Sequence, residues 1–108
     1  DVIENIISRR KSITIDAIAR LVGREFGVPV KDMVSKSRKQ SIVRPRQVAI
    51  FLARRHTSQP LQVIGRKFNR MHATVLHSIN SVEKELKLKG ELYKQVQIIE
   101  EKLDNGKL

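Results

Sequence analysis

Cysteine and tryptophan are absent from this chain of 108 residues, and three Phe with one Tyr are its only aromatics. Without cysteine there is no disulfide framework and no thiolate metal site. With so few rings, Leu, Ile, Val and Ala must fill the interior, which suits helices packed by aliphatic ridges. No apolar run approaches the roughly 18 residues that mark a bilayer-spanning helix. The first residues, DVIENIISRRKS, lack the basic-then-apolar order of a signal peptide. These absences lead to the expectation of a soluble cytoplasmic protein, one domain in size, with a modest core.

The most informative absence is acidic. Lys and Arg number 22 against 11 Asp and Glu, a net charge of +11. The carboxylates lie at Asp1, Glu4, Asp16, Glu25 and Asp32, then from Glu83 onward, and none falls between Met33 and Val82. That window holds Lys36, Arg38, Lys39, Arg44, Arg46, Arg54, Arg55, Arg66, Lys67 and Arg70. A face serving only solubility mixes signs and pairs Glu with Lys along helices. A single-sign field attracts a polyanion instead. Nucleic acid is favoured over an anionic membrane, because no long helix sets a basic face against a bulky aromatic one.

Periodicity predicts an all-α fold. Residues 1–9 read as a short helix, with Val2, Ile3, Ile6 and Ile7 on one side, broken by RRKS. Thr14 suits an N-cap, and Ile15, Ile18, Ala19, Val22 and Phe26 recur at helical spacing until Gly27. Pro29 marks a turn, and residues 30–35 form one helical turn or two. SKSRKQSIVR (35–44) has no apolar period and reads as a loop. Pro45 suits the first position of a helix that buries Val48, Ala49, Phe51 and Leu52 and ends near Arg54 and Arg55. LQVIGRKF (61–68) is a short helix. After NRMH a longer one begins near Ala73, with Val75, Leu76, Ile79, Val82 and Leu86 as its stripe, running to Gly90. A last helix, 91–104, carries Leu92, Val96, Ile99 and Leu103, a stripe suited to core.

Two helices joined by a tight turn at 69–72, with Gly65 giving room for close approach, outline a helix-turn-helix. Its second helix would need hydrogen-bond donors in the first turn, and Arg70, His72 and Thr74 supply them. Other chemistry fits less well. His72 and His77 are five apart, about 140° around a helix, and do not share a face as ligands four apart would. A catalytic histidine needs an oriented acid, which the acid-free window does not supply, so neither metal nor enzyme activity is expected. His77 reads as a packed or half-buried helix residue. GREFGVPVK lacks the P-loop order of glycines, lysine and hydroxyl.

IGRKFNRMHATVLHSINSVEKEL (64–86), VRPRQVAIFLAR (43–54) and the SKSRKQS loop resemble the C-terminal DNA-binding domain of the bacterial DnaA family of chromosomal replication initiators. The likeness runs from about Ile13 to Leu103. It implies a compact helix-turn-helix domain over 13–108, preceded at 1–12 by a helix linking it to an upstream ATPase module, so that ATP belongs to that module and not to this chain. It implies double-stranded DNA as the partner in initiation of replication, with regulatory proteins as further partners and a cytoplasmic, nucleoid-associated location. Carried over by position, Arg38 would enter the minor groove, while Lys36, Arg46, Gln47 and Arg54 would hold phosphates, and Leu61 and Gln62 would pack near the backbone. Arg70 would bind guanine, His72 and Ala73 would face thymine, and Thr74 would meet a base or phosphate. The family usually has Gly-Arg-Asp-His-Thr-Thr where this chain has Asn69, Arg70, Met71, His72, Ala73 and Thr74, so a carboxylate and a hydroxyl are gone. Two other readings stay open from the residues: a helix-turn-helix repressor or DNA binder of low specificity, and a basic helical module that binds an acidic protein.

Overall fold

The structure is a computed structural model and describes residues 13–106, so the linker helix expected at 1–12 lies outside the described residues. Among the described residues there are six helices and no strand. The all-α expectation holds.

Helix α1 spans Ile15–Phe26. Thr14 caps it, its hydroxyl oxygen accepting from the Ala17 N–H at 3.0 Å, and Asp16 in the first turn with Arg24 in the last suits the helix dipole. Gly27 closes it in the left-handed region, φ 68°, with its N–H on the Gly23 carbonyl. Gly23 itself has no room for a side chain, since a Cβ there would lie 2.5 Å from the Val28 carbonyl oxygen. Pro29 then leads into the single turn of α2, Val30–Met33.

Helix α3 corrects the sequence reading. It spans Gln40–His56, so its first turns occupy what reads as a loop, and Pro45 lies inside the helix and not at its first position. Pro45 has no N–H for the Ser41 carbonyl, but Ser41 is exposed and water can serve that oxygen. The Lys39 carbonyl accepts from both the Ile42 and Val43 N–H groups, which closes the first turn. Ile42 is partly buried and packed against the core. Every residue from Pro45 to Ala53 is buried, so α3 is the central helix and α1, α2, α4 and α5 pack around it.

Helix α4, Leu61–Lys67, follows the extended residues Ser58–Pro60. Helix α5, His72–Lys87, lies across α3 with Val75, Ser78, Ile79 and Val82 buried. Leu76, expected on that stripe, is 41% exposed, and His77, expected to be packed or half-buried, is exposed as well. Helix α6, Glu91–Asp104, packs against α1 and α5 through Val96, Ile99 and Leu103. Polar contacts fasten it further: Lys102 pairs with Glu25, while Glu100 receives His56 at 2.8 Å and Arg55 at 3.6 Å. No helix among the described residues is long and apolar enough to cross a membrane.

Candidate nucleic-acid interface

The turn between α4 and α5 is fixed by backbone fit. A Cβ on Gly65 would sit 2.6 Å from the Arg70 carbonyl oxygen and 3.3 Å from Val75 Cγ2, so only glycine lets the two segments touch. The Arg70 N–H donates back to the Gly65 carbonyl at 2.7 Å. Asn69 takes φ 56°, the left-handed region that glycine enters freely and asparagine tolerates better than most residues. Asparagine therefore suits this position as glycine would. Phe68, 1% exposed, anchors the turn to the core.

Beyond the turn, Met71, His72, Ala73 and Thr74 are all exposed. Met71 is the N-cap of α5 and makes no side-chain cap bond, and no acidic residue lies in the first turn. The helix therefore presents its positive end to solvent, with first-turn N–H groups that have no carbonyl one turn earlier. Val75, Ile79 and Val82 face the other way, into the core.

Arg70 ties this turn to a second element. Its guanidinium donates to the carbonyls of Phe68 (3.3 Å), Asn69 (2.8 Å) and Ser35 (2.6 Å). Ser35 begins the segment between α2 and α3 that carries Lys36, Arg38 and Lys39, all exposed. The segment folds on its own hydroxyls: Ser35 Oγ donates to the Asp32 carbonyl and accepts from the Ser37 N–H, and Ser37 Oγ accepts from the Lys39 N–H. The Arg70–Ser35 hydrogen bond thus ties the basic loop to the head of α5.

Arg46 lies behind that surface. It is 5% exposed, and its guanidinium donates to the carbonyls of Met33, Asp32, Ser35 and Ser37. Burial first, and Arg70 second, lower its pKa from the ordinary arginine value, and it stays charged at neutral pH. A phosphate contact from Arg46 is the expectation; in the free domain its donors hold the loop from inside. Gln47 is buried also, accepting from Arg44 at 3.2 Å. The resemblance sets both residues on phosphates at the start of a helix opened by Pro45; they lie instead in the second turn of α3. The signal for a buried Arg46 is in the sequence: three, four and seven residues on stand Ala49, Ile50 and Ala53, all fully buried, on the same helix face.

The remaining basic residues divide. Arg44 reaches Ser81 and Glu85, Arg55 lies over the Phe51 ring and meets Glu100, and Lys67 meets Asp16 at 3.2 Å. Lys36, Arg38, Lys39, Arg54 and Arg66 are exposed and make no ion pair among the described residues. Leu61 is half-buried and Gln62 exposed at the start of α4. Sequence reasoning missed Ser35, whose carbonyl joins loop and turn, because backbone acceptors leave no residue-type signal.

A short helix locked by glycine to an exposed, positively led second helix, beside a basic loop, defines a helix-turn-helix DNA-binding domain. The family model described as the bacterial dnaA protein helix-turn-helix matches residues 15–82. The chain is 43% identical over 106 residues to the chromosomal replication initiator protein DnaA of Desulfatibacillum aliphaticivorans, a match covering 98% of this chain and 23% of that protein. It is 41% identical over 97 residues to the protein of the same name from Porphyromonas gingivalis, covering 89% of this chain and 20% of that one. A third, from Desulfotalea psychrophila, is 34% identical over 103 residues, covering 95% and 22%. The chain belongs to the bacterial DnaA family and corresponds to its helix-turn-helix domain. It spans about a quarter or less of the length of these curated relatives.

Proposed function

We propose that this domain recognises a duplex DNA box at a replication origin, with the head of α5 in the major groove and the loop of residues 36–40 on the neighbouring backbone and minor groove. The observation that carries the reading is the join between Arg70 and Ser35, which puts the basic loop and the exposed start of α5 on one face. Arg70 would leave the Ser35 carbonyl and take the two acceptors of a guanine, a pairing its planar fork suits. His72, Ala73 and Thr74 would meet bases beside it, and Arg38 would enter the minor groove. Lys36, Arg54 and the start of α4 at Leu61 and Gln62 would bear on phosphates, fixing register. Arg46 and Gln47 would act from behind, Arg46 by holding the loop. The domain would dock and do no chemistry. ATP use and origin opening would belong to other parts of a full-length initiator, and regulatory proteins are a further proposed class of partner.

Amide chemical-shift mapping tests the placement. Adding a duplex with the initiator box should move signals of residues 36–40 and 69–77 most, leaving α6 nearly still. Shifts centred on α6, with those segments unmoved, would refute it and favour a protein-binding module.

A further inference from the structure

Met71 is 81% exposed, the most exposed large apolar side chain among the described residues. Folding gives no reason for it. The side chain does not cap α5, yet the backbone beneath it is held on both sides: the Arg70 N–H is bound to Gly65, and the Met71 carbonyl accepts from the Val75 N–H at 3.0 Å. A flexible thioether is therefore presented from a fixed Cα, between Arg70 and His72, on the face built for DNA. The chemistry around it is one-sided. From Met33 to Val82 there is no carboxylate to accept from a cytosine or adenine amino group. In the major groove one base offers an apolar feature, the C5 methyl of thymine, and apolar side chains read it.

We infer that Met71 is a specificity-determining residue that selects a thymine through its C5 methyl. The inference rests on the proposed docking of α5 in the major groove. Met71 makes van der Waals contact with the methyl, and the unbranched side chain adapts to its position. The position it reads is then one at which thymine is preferred for a methyl alone, with no hydrogen bond involved.

The test uses the 108-residue chain and a duplex that it enriches from a randomised pool. Each thymidine is replaced in turn by deoxyuridine, which removes one methyl and leaves base pairing intact. With the unchanged protein, one position should lose affinity about fourfold, the worth of one buried methyl. In Met71→Ser that position should become indifferent to the methyl, while Met71→Leu should keep the dependence. Melting midpoints check that folding is intact: Met71→Leu should match the unchanged protein, and Met71→Ser should match or exceed it, since a serine there can cap α5. No methyl-dependent position, or a dependence that Met71→Ser leaves intact, would overturn the inference. If the enriched duplex still outcompetes a scrambled one in that case, the docking reading survives. If no duplex is preferred over any other, both fall.

Discussion

Arg46 and Arg70 converge on one oxygen: the Ser35 carbonyl accepts from Arg46 Nη2 at 3.1 Å and from Arg70 Nη2 at 2.6 Å. One of these cations is buried and the other half-buried, in the turn before α5. Two like charges sharing a neutral acceptor repel, so Arg70 adds to burial, the larger cause, in lowering the pKa of Arg46. Both guanidinium groups hold the Ser35 carbonyl, and in the proposed complex Arg70 is the one that would exchange it for guanine.

Arg46→Ala should therefore destabilise the domain by about 2–4 kcal/mol, because buried carbonyls lose a charged donor. Urea unfolding measures it. Arg46→Lys should recover little, since an ammonium cannot span four carbonyls. In DNA titrations the dependence of log Kd on log salt should keep its slope in Arg46→Gln, which removes the charge, whereas Lys36→Ala should lower the slope by roughly 0.9, the value of one phosphate contact. A similar loss of slope with Arg46→Gln would return Arg46 to the phosphate.

Gly65→Ala should cost about 1–3 kcal/mol by overpacking against the Arg70 carbonyl. It should also weaken box preference, since relief of the clash moves the turn that carries Arg70. A variant of unchanged stability and unchanged preference would show that the close approach is dispensable.

Removing the α1 cap by Thr14→Ala should lower stability by about 1 kcal/mol, read as a shift of the urea midpoint with the same m-value. DNA affinity should not change, because the cap lies outside the proposed interface.

Glu100 supplies a pH dependence. The hydrogen bond from His56 holds its carboxyl below the ordinary carboxylate range; burial opposes this, and the charges of Arg55 and His56 assist. A carboxylate lowered in the folded state contributes stability that is present above its unfolded pKa and lost as pH falls through the folded one. The melting temperature should therefore fall as pH drops below the usual carboxylate range, and Glu100→Gln should flatten that part of the profile. An unchanged profile in Glu100→Gln would remove this pair as the cause.

How far the sequence could be read differs by element. Thr14, Gly27 and Pro29 punctuate α1 by local backbone chemistry, and that stretch is legible almost residue by residue. The acid-free window and the α4-turn-α5 pattern are legible for similar reasons. The start of α3 is not, because Ile42 and Val43 alone carry no period and Pro45 mimics a helix start five residues late. Arg46 is read as a surface cation by residue type, and only the carbonyls of a loop that tertiary packing folds over it reverse that. Leu76 and His77 fall at the edge of the α5 stripe, where a rotation of one position decides between core and solvent.

Sequence-directed docking through α5 is tested most directly by fluorescence anisotropy of the unchanged domain and Arg70→Ala on duplexes carrying the initiator box or its scramble. The unchanged domain should bind the box on the order of 10³-fold more tightly. Arg70→Ala should erode that preference by roughly 5- to 150-fold, the range for one lost bidentate base contact, while helicity by circular dichroism stays the same. Equal binding of both duplexes by the unchanged domain, or a preference that Arg70→Ala leaves whole, would contradict it.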